Sequence, residues 1–217
     1  MLDNALRIQV PQRVALAVDL GCGPGVQLES WRAYADRVVG IDQHAEQVDE
    51  NIFDDGVELV TDDVTDLPFA DDSVDLVLAL DVLEHVPDVA VLQQAARVLK
   101  PGGTMLVSVP AFQWLWSFRD EGAGHLRRYT KSQICQRVEQ AGMQVCRVRY
   151  YQFFLFPLVV LSRKLGKTSK VTRDAEDFPP GVVNTIFRTI NRFEARLDGL
   201  GIRFPIGSSI IVTARKV

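Results

Sequence analysis

The sequence predicts an α/β domain on a parallel, doubly wound sheet, and three observations carry that prediction. Between Val14 and Val109, short β-branched apolar runs alternate with stretches of helical spacing, the pattern that places helices between parallel strands. The first of those runs ends in a glycine-rich turn, Asp19-Leu20-Gly21-Cys22-Gly23-Pro24-Gly25. The chain has 217 residues, 47% of them hydrophobic, which suffices for one such core with room for an insertion.

Strands are expected at 14–20, 37–41, 57–61, 74–80 and 104–109, with 26–35 able to form the first crossover helix. Between the last two strands, Leu92, Ala95, Ala96 and Leu99 recur at helical spacing, and Lys100-Pro101-Gly102-Gly103 stops that helix. A loop over 110–129 leads to a helix whose start is marked by Thr130 and Gln133 at capping-box spacing and whose end is marked by Gly142. Further strands are expected at 145–150 and 209–213.

The glycine spacing discriminates among ligands. Dinucleotide turns read G-x-G-x-x-G and offer helix-end amides to a pyrophosphate, whereas this turn reads D-x-G-x-G-x-G with an acid in front. An acid beside the loop repels phosphate and suits a cationic, phosphate-free ligand. Asp42, 23 residues beyond Asp19 and at the end of the second strand, is placed to accept hydrogen bonds from two ribose hydroxyls.

Together these residues resemble the S-adenosylmethionine (SAM) site of class I methyltransferases. The likeness continues through Asp62-Asp63-Val64-Thr65-Asp66-Leu67-Pro68-Phe69, through Leu83-Glu84-His85-Val86 after the fourth strand, and to Lys100-Pro101-Gly102-Gly103. The resemblance implies a Rossmann-like, seven-stranded sheet with an antiparallel last strand, SAM as cofactor and S-adenosylhomocysteine as product. It implies cofactor contacts at Asp19, Gly21, Cys22, Gly23, Asp42, Asp63, Val64 and Leu80, with Asp63 and Val64 at the adenine and Leu80 at the methionine end. Relatives join their last two strands closely, so 151–207 reads as a helical insertion covering the substrate, within a single domain spanning 1–217.

Within that insertion Val183, Ile186, Ile190, Phe193, Leu197 and Leu200 form one apolar stripe, readable as a face packed on the domain or as a dimer seam. Phe153 to Leu161 is apolar and is followed by Arg163, Lys164, Lys167, Lys170 and Arg173 without an acid between them. Such a segment over 153–173 suits peripheral contact with an anionic bilayer, or a lid with a solvated basic end. At about half the length of a spanning helix, with Pro157 inside it, the apolar run is not read as transmembrane.

Methyl transfer is an in-line displacement at a sulfonium carbon, with a base required when the acceptor is a hydroxyl or ammonium. The candidates lie after the fifth strand, in Trp114-Leu115-Trp116-Ser117-Phe118-Arg119-Asp120 and Gly124-His125-Leu126-Arg127-Arg128-Tyr129. This stretch resembles a bacterial methyltransferase subgroup with an L-W-S-x-x-D...H-x-R-R-Y loop. His125 is the expected base, oriented by Asp120, with His85 as the second candidate. Trp116, Arg127, Arg128 and Tyr129 are the expected substrate contacts, the arginines as a clamp on carboxylate or phosphate or else as ion pairs within the fold.

A net charge of −4 argues against nucleic acid as the main partner. The expected acceptor is a small molecule or a lipid-linked metabolite, the expected state a monomer or homodimer. Cys22, Cys135 and Cys146 lack metal-ligand spacing, so no metal is expected from spacing, and free thiols fit a cytoplasmic setting, with the inner membrane face as the alternative if 153–173 binds lipid. The N-terminus lacks a signal-peptide pattern. The rival readings are a SAM-binding scaffold without chemistry and an NAD-dependent oxidoreductase.

Overall fold

The computed structural model describes residues 2–45, 53–165 and 181–217. In chain order the elements are α1 (Leu2–Gln9), β1 (Val14–Leu20), α2 (Leu28–Trp31), β2 (Ala35–Asp42), β3 (Val57–Thr61), β4 (Val74–Leu80), α3 (Asp88–Val98) and β5 (Leu99–Pro110). After a single 3-10 turn at Gln113–Leu115 follow α4 (Phe118–Gly122), α5 (Lys131–Gln140), β6 (Met143–Tyr151), α6 (Phe156–Leu165), α7 (Gly181–Gly199) and β7 (Ser209–Lys216).

The strands form one seven-stranded sheet in the order β3-β2-β1-β4-β5-β7-β6. β1 to β5 run parallel, and β7 lies antiparallel between β5 and β6. Alternation along the strands divides the core in two. Val18 and Leu20 of β1, Val77 and Ala79 of β4, and Val107 of β5 face α3 and α5. Ala17, Leu76, Leu78 and Leu106 face α1 and the Trp31 turn. Both faces are covered, as a parallel sheet requires.

α5 starts as its sequence indicates: the Thr130 hydroxyl accepts from Gln133 N, Gln133 returns the bond to Thr130 N, and Gly142 ends the helix at φ +87°. The first crossover does not. Instead of a helix over 26–35, one turn at Leu28–Trp31 suffices, because Trp31 buries its ring and spends its indole N–H on Asp19, and β2 already begins at Ala35.

Between β6 and β7 lie α6 and α7, and the apolar stripe of α7 does not pack as one face. Ile186 and Phe193 are each 51% exposed, and Leu200 is 79% exposed. The enclosed side carries Glu194 and Asp198 instead. Asp198 pairs with Arg147 of β6 at 2.8 Å, and Glu194 accepts from Phe154 N at 3.3 Å, so buried acids set the rotation of the helix. No helix among the described residues is long and apolar enough to cross a membrane.

Candidate active site

The sheet order reverses beside β1, and the parallel strands β1 to β5 all point their C-terminal ends to that edge, where open α/β sheets bind ligands. The glycine loop is stitched to β2. Gly21 N donates to Ile41 O at 2.7 Å, and Gly23 N donates to Asp42 Oδ2 at 2.9 Å. Gly21 has φ +62°, and a Cβ there would lie 2.7 Å from Val82 Cγ2, so only glycine fits. Gly23, at φ +55°, has nothing within 4 Å of its Cβ direction, so the loop presents bare backbone to open space at that point.

Asp42 accepts from His44 N at 2.9 Å through its other oxygen, which fixes the carboxylate at the strand end with lone pairs left on both oxygens. Asp63 is exposed and accepts from Thr65 N, while Val64 is buried and positions the adjoining backbone. Leu80 ends β4 half-buried. Cys22 turns its sulfur towards Gly40, where a Cβ would come within 2.6 Å of it. Burial, with Asp19 and Asp42 nearby, pushes its thiol up to about 12, so it acts as a small inert filler.

Asp19 departs from the expectation of a direct contact. Its side chain is enclosed, accepts from the Trp31 indole at 2.8 Å, and burial pushes its carboxyl up to about 7. It therefore reaches the site through its field and by bracing the loop. Glycine backbone open to approach beside a carboxylate fixed at the end of β2 is the donor set a phosphate-free nucleoside ligand needs.

The 111–129 loop folds around Asp120. That carboxylate is 1% exposed, accepts from Ser117 N at 2.8 Å in a capping box, and meets Arg128 Nε at 2.7 Å and Arg163 of α6 at 2.8 Å. Burial opposes its charge, but Arg128, the Ser117 amide and Arg163 outweigh that and hold the carboxyl below its usual range. Nδ1 of His125 lies 3.0 Å from Asp120 Oδ1, so the fold brings these two residues together. Burial and the neighbouring His85 lower the His125 pKa, against the pull of Asp120.

Three expected substrate contacts are placed otherwise. Arg128 is 7% exposed and consumed by Asp120 and by Ala111 O at 3.0 Å. Arg127 turns to Asp88 and Val86 O, both at 3.0 Å, so the two arginines form no clamp. Tyr129 is 2% exposed, its hydroxyl within 2.7 Å of Asp88 Oδ2 and 2.9 Å of Leu83 O. It ties the loop to the start of α3, and burial beside Asp88 raises its pKa. Trp116 is half-buried near Glu121. Arg163, counted in the basic run after Phe153 to Leu161, faces Asp120; Lys167, Lys170 and Arg173 lie outside the described residues, as does the side chain of Lys164.

Two residues here were not singled out by the sequence. Asp81, just past β4, sits at φ +54°, a left-handed conformation that aspartate tolerates better than most side chains. Its side chain reaches solvent, yet protein crowds it from the other sides; that crowding raises its pKa, while Ser108, His125 and His85 oppose the rise. Glu84 is 1% exposed, and burial together with Asp81 pushes it up to about 8. The positive φ and the burial carry no local sequence signal.

Residues 18–107 match the family described as methyltransferase domain. The chain is 34% identical over 173 residues to an uncharacterized 37.1 kDa protein in transposon TN4556 of Streptomyces fradiae, an alignment covering 74% of this chain and 47% of that one. It is 30% identical over 148 residues to the ubiquinone biosynthesis O-methyltransferase of Aeromonas salmonicida, covering 59% of this chain and 62% of that one. The matches thus span about half to three fifths of those relatives' length. A solved S-adenosylmethionine-dependent methyltransferase from Mesorhizobium loti shares the fold at a TM-score of 0.63, with 18% identity and 100% of both chains covered.

Proposed function

We infer that this chain, whose residues 18–107 match the methyltransferase-domain family, is a class I SAM-dependent enzyme that moves the methyl group of SAM to a small-molecule acceptor, leaving S-adenosylhomocysteine. The observation that carries this is the join between Gly23 N and the Asp42 carboxylate at 2.9 Å, which sets bare glycine backbone beside a fixed acid.

Bound there, the donor supplies a methyl carbon made electrophilic by its sulfonium. The chain's part is alignment and protection. Asp42 takes the ribose hydroxyls, Asp63 and the Val64 backbone take the adenine edge, and the turn from Leu80 to Val82 forms the floor under the methionine end. The acceptor approaches from the 111–129 loop, where His125, held through Nδ1 by Asp120, presents its other nitrogen to the acceptor's proton. α6, pinned through Arg163 to the same Asp120, shields that side from water.

The finer acceptor class in this reading is lipid-linked. Phe154 just before α6 and Leu158 and Leu161 on it are 41%, 48% and 53% exposed, and a relative named for ubiquinone biosynthesis puts ubiquinone precursors first in the screen. The chain would then work in the cytoplasm, at the membrane face when lipid is engaged. Incubation with methyl-labelled SAM and fractionated soluble and lipid extracts tests this. Label in a lipid-soluble product supports it, and label only in water-soluble products redirects the acceptor class. With no labelled product from any fraction, a SAM-binding scaffold becomes the better reading.

A further inference from the structure

We propose that Glu84, His85 and His125 form a binding site for a divalent transition-metal cation. One donor atom from each lies within 4.8 Å of the other two. Around a zinc-sized ion, tetrahedral donors about 2.0 to 2.2 Å from the metal stand about 3.4 Å apart. Exposed His85 can close that difference by rotating its ring.

The second observation is an unmet need. Glu84 is 1% exposed, and its Oε2 is enclosed without a hydrogen-bond partner among the described residues. An unpartnered buried carboxylate oxygen is costly, and a cation is the group that satisfies it while leaving the glutamate ionised.

The third is the support behind His125. Nδ1 is committed to Asp120 at 3.0 Å, which leaves Nε2 as the donor nitrogen, and Asp120 is itself held by Arg128 and Arg163. A carboxylate behind a ligating imidazole is how metal-binding histidines are oriented. The two rings stand edge to face, centroids 4.6 Å apart, so neither blocks the other's lone pair by stacking.

Two imidazoles and one carboxylate suit zinc, cobalt, iron(II) or manganese; magnesium and calcium prefer all-oxygen shells. Three protein ligands leave an open position, which can take an acceptor oxygen and lower its pKa. In the loaded state that proton-removing task passes from His125 to the cation. Spacing along the chain could not show this site, because His125 lies 40 residues beyond His85.

The test is titration of chelator-stripped protein with Co²⁺, read by its visible absorption and competed with Zn²⁺. One equivalent should bind, Zn²⁺ should displace it, and His85→Ala and His125→Ala should each weaken binding at least tenfold with unchanged circular dichroism. A variant with Cys22, Cys135 and Cys146 all replaced by serine should bind as the parent does. His85 is exposed, so His85→Ala keeps the test decisive if His125→Ala fails to fold. Absence of saturable one-equivalent binding, or binding unchanged by His85→Ala, would overturn the proposal. No methyl donor or acceptor enters the readout, so this result and the methyl-transfer reading stand or fall separately.

Discussion

Asp120 Oδ1 lies 3.0 Å from His125 Nδ1, and the same carboxylate closes ion pairs with Arg128 from its own loop and Arg163 from α6. One enclosed acid therefore orients the imidazole, fastens the loop and ties α6 to it. Removing the acid would strand two guanidinium groups, so the informative substitution is on the histidine.

His125→Ala should lower kcat by about 10² to 10⁴-fold, the usual worth of a positioned acid–base group. Affinity for S-adenosylhomocysteine should stay within about twofold, since the hydrogen bonds that hold Gly23, Asp42 and Asp63 do not involve the ring. Steady-state kinetics and a binding titration on the same preparation check this. Full kcat in the variant would remove His125 from the chemistry.

Gly21→Ala meets two obstacles, a φ of +62° and a methyl group 2.7 Å from Val82 Cγ2. The first costs about 1 to 2 kcal/mol and the second about 1 to 3. Val82→Ala in the same chain should recover the second cost and leave the first. Gly23→Ala has the same backbone penalty but open space, so it should destabilise less. Urea melts of the four proteins give the comparison; equal midpoints for Gly21→Ala and Gly23→Ala would contradict the packing argument.

Asp19 makes stability depend on pH. Burial raises its pKa to about 7, while the unfolded chain ionises near 3.8. Below 3.8 both states hold the proton, and Asp19 costs nothing. As pH rises through that value towards 7, the unfolded state gives up its proton first, so folding stability falls. Asp19→Asn keeps an acceptor for the Trp31 indole and removes the titration. It should match the parent at pH 4 and exceed it at pH 8 by up to roughly 4 kcal/mol. Thermal midpoints at the two pH values decide it, and equal midpoints at pH 8 would show that the carboxyl is not destabilised by burial.

Much of the fold was legible because period and punctuation are local. β1, β3 and β4 end where their apolar runs end, and the Thr130 box and Gly142 bound α5. The turn itself was legible for the same reason: Gly21, Gly23 and Gly25 all take the positive φ that glycine at fixed spacing allows. What sequence could not supply was direction. Arg128 and Tyr129 sit in a loop rich in polar groups and read as substrate contacts, yet the chain turns both inward onto Asp120 and Asp88. α7 shows the same limit, since its apolar stripe predicts a buried face, but Arg147 and Phe154 N draw Glu194 and Asp198 inward instead. Glu84 and Asp81 carried no spacing signal, and their environment comes from β4, the 111–129 loop and Tyr151 meeting in space.

The most direct measurement is calorimetric titration with SAM and S-adenosylhomocysteine, then with NAD on the same sample, for the parent and for Asp42→Ala. Micromolar binding of both methionine nucleosides without NAD binding is expected, weakened by about 1 to 3 kcal/mol in Asp42→Ala through lost charge-assisted bonds and a loosened Gly23. No binding of SAM, or NAD binding in its place, would contradict the assignment of this loop as a methyl-donor site.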